Sequence, residues 1–144
     1  MRRSLGWILI VSAFLVLASC QHSHSNDEIE AAMNKYDRFI KSMQLDSMAL
    51  LYTTDGNLGN IAHGQDSIRR FLATFKDVKV LAMSSQTTSI AIVGDSATQT
   101  GSFKQTALLT RKDTINAKGT YVAKWKWGDQ HGWRLKSMIT KPTP

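Results

Sequence analysis

The sequence predicts an α+β domain in which three helices precede an antiparallel meander. Two patterns carry that prediction. Between Asp27 and Phe75, apolar residues recur at helical spacing in three blocks. After Asp77 the period drops to two, in runs separated by turn residues. Helices followed by short-turn strands read as segregated α+β layers rather than alternating βαβ units. Size agrees: the 144 residues, less an N-terminal leader, suffice for one core and not two. A hydrophobic content of 42% with 20% charged residues is ordinary for a globular chain.

The leader comes first. Met1–Ser4 carries Arg2 and Arg3, Leu5–Leu17 is an almost unbroken apolar run, and Leu17-Ala18-Ser19-Cys20 follows. A charged start, a short apolar core and small residues before a cleavage point make an export signal. The run is shorter than the ~20 residues that a spanning helix needs. Arg2 and Arg3 read as plain positive charge on the cytoplasmic side. Leu-Ala-Ser-Cys resembles the lipobox of bacterial lipoproteins. That resemblance implies cleavage before Cys20, lipidation of Cys20 and attachment to the membrane of the cell envelope. Gln21, where inner-membrane retention uses aspartate, points to the outer membrane, facing the periplasm. The expected division is therefore 1–19 signal peptide, 20–27 lipidated cysteine and flexible tether, and 28–144 folded domain. Cys20 is the single cysteine, so no intrachain disulfide can form.

The tether, Gln21–Asn26, is polar and expected to be solvated. His22 and His24 alternate there, but two ligands without a third make no metal site. No metal and no cofactor are expected anywhere in the chain. The formal charge of +7 includes Arg2 and Arg3, and without them 16 basic residues face 11 acidic ones. That mild excess, with no aromatic–basic groove and with export, argues against nucleic acid as a partner.

Ser25-x-x-Glu28 fits a capping box for a first helix over 27–44, with Ile29, Ala32, Met33, Tyr36, Ile40 and Met43 on its apolar face. Asp46 or Ser47 would cap a short second helix that ends near Tyr52. Thr54-Asp55-Gly56 is turn chemistry, and Asn57–Ala62 reads as a short edge strand. Gly64 allows a tight entry to a third helix, capped by Gln65 or Asp66, that buries Ile68, Phe71, Leu72 and Phe75.

Strands are expected at 78–85, 87–93, 97–110, 114–127 and 133–140. Gly94-Asp95, Arg111-Lys112-Asp113 and Gly128–Gly132 are the later turns. Parity divides the long strands into two faces. Ala97, Gln99, Gly101, Phe103 and Gln105, with Gly119, Tyr121, Ala123, Trp125 and Trp127, share the face toward the helices. The opposite face is rich in threonine and lysine, and with Arg134 and Lys136 it forms a basic stripe.

The stretch Ala49–Phe75 has an apolar helix end with Leu51-Tyr52, then Asp55-Gly56, a short strand, Gly64, Ile68 and Phe71. It resembles the SnoaL-like branch of the nuclear transport factor 2-like superfamily, and the order of elements over 28–140 is similar to that group. The closing Gly128-Asp129-Gln130-His131-Gly132-Trp133 also resembles the family's final hairpin. The resemblance implies a cone-shaped, cystatin-like roll, with the helices packed on a strongly bent, mainly antiparallel sheet. It also implies a cavity inside the cone, and a homodimer through the outer sheet face as in many relatives. Tyr36, Tyr52, Gln99, Phe103, Gln105, Tyr121, Trp125 and Trp127 are the candidate pocket-lining residues: aromatic surfaces with a few fixed polar groups.

Relatives such as ketosteroid isomerase work through carboxylates that project into the cone. Here every Asp and Glu falls in or before the first helix, at caps, or in turns, and no strand interior carries one. A base must reach its substrate, so this distribution leans away from an enzyme. The remaining candidate catalytic residues are Asp55 and His63, near the expected cone mouth. Three readings follow: a lipid-anchored module that binds a small, largely apolar ligand; a small SnoaL-like enzyme of isomerase, cyclase or hydrolase type; and a protein-interaction domain with a filled cone.

Overall fold

The computed structural model describes residues 23–109 and 113–144. The leader, Cys20, Gln21, His22, the last residue of the expected strand 97–110 and Arg111-Lys112 of the expected turn after it lie outside the described residues. Helices α1 (Asn26–Lys41), α2 (Leu45–Leu50) and α3 (Gln65–Ala73) pack on a six-stranded sheet. Its strands are β1 (Tyr52–Leu58), β2 (Ala62–His63), β3 (Lys79–Val93), β4 (Ser96–Leu108), β5 (Thr114–Gly128) and β6 (Gly132–Pro142), in the order β2-β1-β6-β5-β4-β3. All neighbours are antiparallel except β1 and β6, which run parallel. This is the expected α+β cone: a curled sheet with its helices held on the inner face.

Burial alternates along β4 and β5 as parity requires. Ala97, Gln99 and Gly101 on β4 are buried, as are Gly119, Tyr121, Ala123 and Trp125 on β5. Ile29, Met33 and Tyr36 of α1, Ile68 and Leu72 of α3, and Trp133, Leu135 and Met138 of β6 complete the core.

Several expected boundaries move. Helix α1 stops at Lys41 rather than near residue 44, because Ser42 Oγ donates to Arg38 O at 2.7 Å and Met43 turns to φ +54°. The Thr54-Asp55-Gly56 turn is absorbed into β1. Leu135 N donates to Leu51 O at 2.8 Å, and a Cβ at Gly56 would lie 3.0 Å from Leu135 O, so glycine lets this strand close on β6. The two strands expected over 78–93 are one, β3, with register shifts between Val80 and Ala82 and between Thr87 and Ser89.

Neither Ser25, nor Gln65 and Asp66, supplies the expected side-chain cap: no such bond forms at α1 or α3, and Gly64 occupies the N-cap of α3 at φ +80°. A further correction concerns His24. Expected in a solvated tether, its side chain is only 2% exposed, with ring centroids 4.6 Å from both Trp127 and Trp133.

Candidate functional site

The cone holds a cavity of about 310 Å³. Tyr36 and Ile40 of α1 and Phe71 of α3 line it on the helix side; Met83, Phe103, Gln105, Tyr121 and Met138 line it on the sheet side. Leu58 and the exposed Ile61 close its edge. A second cavity of about 220 Å³ adjoins it, sharing Ile40, Phe75 and Gln105 and reaching Met43, Met48 and Leu72. The volumes fall near the lower end of small-molecule sites, and the walls have the expected character, mostly apolar with a few placed polar groups.

Those polar groups belong to Tyr36, Tyr121, Gln105 and Thr140. Tyr36 OH lies 3.4 Å from Tyr52 OH deep in the core. Burial pushes both phenols above their ordinary pKa, so both stay neutral. Burial likewise raises Tyr121, whose hydroxyl lies 3.4 Å from Thr87 Oγ1. The glycines opposite are required by this packing. A Cβ on Gly101 would meet Gln86 O at 2.3 Å and Tyr121 OH at 2.6 Å, and one on Gly119 would meet Lys141 O at 2.3 Å and the Phe103 ring at 2.9 Å.

The structure thus brings Tyr36, Phe103, Gln105 and Tyr121 together at one cavity and sends the other four candidates elsewhere. Tyr52 is fully buried beneath Tyr36 and does not reach the cavity wall. Gln99 is sealed in the core: Trp125 Nε1 donates to its Oε1 at 3.0 Å, and its Nε2 donates to Thr87 Oγ1 at 2.9 Å. Thr87 in turn donates to Glu30 Oε2 at 2.9 Å, so Gln99 satisfies neighbours rather than a ligand. Trp125 lines a different cleft, between α1, α2 and the β5–β6 hairpin. Trp127 packs 5.6 Å from Trp133 and against His24.

Asp55 and His63 also stand away from the cavity. The Asp55 side chain is 72% exposed, and it pairs with Lys136 and accepts from Thr53 Oγ1 at 2.9 Å. The hydrogen bond from Lys136 is the main reason its carboxyl is held below the usual aspartate range. His63 is exposed, its Nδ1 lying 2.8 Å from Asn57 Oδ1 across the β1–β2 pair. No Asp, Glu or His lines either cone cavity. Among the described residues, no group of three or more His, Cys, Asp or Glu is placed to hold a metal ion.

Sequence reasoning missed Met83, Met138 and Thr140 as cavity residues. Met138 lies off the simple parity of β6. The register shifts between Lys124 and Trp125, placing Leu135 opposite Trp125 and Met138 opposite Ala123, with Lys136 as the extra residue. The same bulge takes Lys136 out of the expected basic stripe and into its pair with Asp55. Sequence reasoning also missed Asp37. It projects from α1 to β3, accepting from Ser85 N at 2.9 Å and Ser85 Oγ at 2.8 Å, with its pKa raised by burial.

No protein-family model and no curated protein matches the sequence. Solved structures do match the fold. A ketosteroid isomerase-like protein from Erwinia carotovora atroseptica superposes with TM-score 0.71 at 18% identity, covering 82% of this chain and 96% of that one. A putative scytalone dehydratase from Novosphingobium aromaticivorans gives 0.70 at 17%, covering 82% and 83%. ActVI-ORFA from Streptomyces coelicolor gives 0.67 at 15%, covering 81% and 95%. At these identities the likeness establishes the shared cone and leaves the chemistry to the residues of each site.

Proposed function

We propose that this protein is a lipid-anchored envelope protein whose cone binds a small, largely apolar molecule. One observation carries the binding reading: the cavity walls are mostly apolar and aromatic, their polar residues are two neutral tyrosines, Gln105 and Thr140, and they contain no carboxylate or imidazole. Such a site orients a ligand through hydrogen bonds but has no group with a pKa suited to moving protons near neutral pH. Anchoring rests on the Leu-Ala-Ser-Cys sequence, with Cys20 as the lipidated residue and the outer membrane as the destination.

The enzymatic alternative draws support from fold neighbours described as ketosteroid isomerase-like and as a putative scytalone dehydratase. It would have to work through Tyr36 or Tyr121, because Asp55 and His63 lie outside the cavity.

Native mass spectrometry of protein purified from cells grown on complex medium tests the binding reading. A mass excess that disappears on denaturation is the expected result, and the released molecule names the ligand class. A bare polypeptide mass, together with no retention of apolar molecules from a supplied extract, would overturn it. Globomycin-sensitive processing and labelling by a fatty-acid probe, both lost in Cys20→Ser, test the anchor separately.

A further inference from the structure

We infer that the outer face of the sheet is a docking surface for an anionic lipid bilayer. The helices occupy the inner face, so among the described residues no layer covers the outward residues of β3 to β6. Register places the cations there: Lys104 opposite Lys118, Lys126 opposite Arg134, Lys124 and Lys141 on the same side of β5 and β6, and Lys79 at the start of β3. Arg134 also lines the cleft beside α1 and α2. None of these seven forms an ion pair with another described residue, and no Asp or Glu shares the outward positions of β3 to β6. Like charges placed opposite one another destabilise a sheet, so nothing in the fold itself calls for this arrangement.

Most of the remaining outward groups are threonines and serines, with the Gln86 and Asn116 amides among them. Val122 and Ile139 are paired and exposed between the lysines, and Val93 is exposed at the end of β3. Cations that reach phosphate, hydroxyls that hydrogen-bond to headgroups and a small apolar centre match a negatively charged membrane surface. They do not match a second copy. A two-fold dimer through this face would set one cationic face against an identical one.

The N-terminal segment agrees, and this part alone rests on the lipidation of Cys20. His24 is clamped between Trp127 and Trp133 at the end of the sheet where Lys126 and Arg134 lie. Cys20 lies four positions before it in the sequence, a reach of at most about 14 Å. An acyl chain there would keep that end of the face near the bilayer, and with a Debye length of ~8 Å the lysines act once the face settles onto the headgroups.

Lysine-reactive footprinting of the full chain on vesicles tests the inference. One set would contain 30% phosphatidylglycerol in phosphatidylcholine, the other phosphatidylcholine alone. The expected result is a several-fold drop in labelling of Lys104, Lys118, Lys124, Lys126 and Lys141 on the anionic vesicles only, with Lys35, Lys41 and Lys76 on the helical side unchanged. In Lys118→Glu/Lys124→Glu that protection should disappear while the circular dichroism spectrum is kept. Equal labelling of the face on both vesicle types would overturn the inference, as would protection that persists in detergent without lipid, which would mean that a second copy covers the face. Failure of the anchor reads out differently, as loss of attachment to the neutral vesicles.

Discussion

The indole N–H of Trp133 donates to Glu28 Oε2 at 2.8 Å, joining residues 105 apart in the chain. The same oxygen lies 2.9 Å from His24 Nδ1, which, facing a carboxylate, acts as a donor. Glu28 therefore does not turn back to cap its own helix. It ties the start of α1 to the β5–β6 hairpin and holds His24 between two indoles.

This clamp should be worth a measurable share of stability. A hydrogen bond to a charged, part-buried partner contributes about 1.5–3 kcal/mol. Glu28→Ala and Trp133→Phe should each lower the unfolding free energy by about 1–3 kcal/mol, and the double variant should cost less than their sum. Urea titrations followed by tryptophan fluorescence would read all three. Full additivity would show that the two residues act independently.

Gly101→Ala should be more damaging than a surface strand glycine would suggest. Its Cβ would overlap a backbone oxygen at 2.3 Å as well as Tyr121 OH, and backbone cannot step aside as a side chain can. Overpacking of this kind costs about 1–3 kcal/mol. Because Tyr121 forms the cavity wall, ligand retention in the native mass spectrum should fall with it. Gly128→Ala, where no atom lies within 4 Å of the added Cβ, is the matched control.

Asp55→Asn and His63→Ala should leave both fold and ligand retention unchanged within error. Both side chains are exposed, and surface changes of this kind usually alter stability little. The experiment also separates the two functional readings, since loss of an activity or of binding in either variant would return catalysis to the β1–β2 edge.

Asp37 sets an acid-range dependence of stability. Its folded pKa is raised above 3.8 by burial, against the opposing hydrogen bonds of Ser85, so the folded state holds this proton more tightly than the unfolded one. The contribution is therefore fully present below the unfolded value and is lost as pH rises through the folded one. Asp55 behaves oppositely: its pKa is lowered, so its small contribution is present above 3.8 and is lost as pH falls through the folded value. Chemical denaturation of wild type and Asp37→Asn across the acid range should show the wild type losing ground to the variant as pH rises. A constant difference would mean that Ser85 fully offsets the burial.

Much of this was legible in the residues themselves. The switch from a helical period to a period of two after Asp77 marks the boundary between helices and meander, and strand parity places Phe103, Gln105 and Tyr121 on the inner face. Periodicity depends only on neighbours a few residues away, which is why it survives without knowledge of the fold. Tertiary structure alone decided the rest. Ser25-x-x-Glu28 satisfies a local capping rule, yet Glu28 finds a better donor in Trp133. Gln99 faces inward as expected, yet Trp125 and Thr87 consume its hydrogen bonds. A single bulge at Lys136 reverses the parity of the rest of β6, bringing Met138 to the cavity and removing Lys136 from the basic stripe. In each case the outcome turns on a partner brought close by the closed cone, and local pattern carries no information about which distant group will arrive.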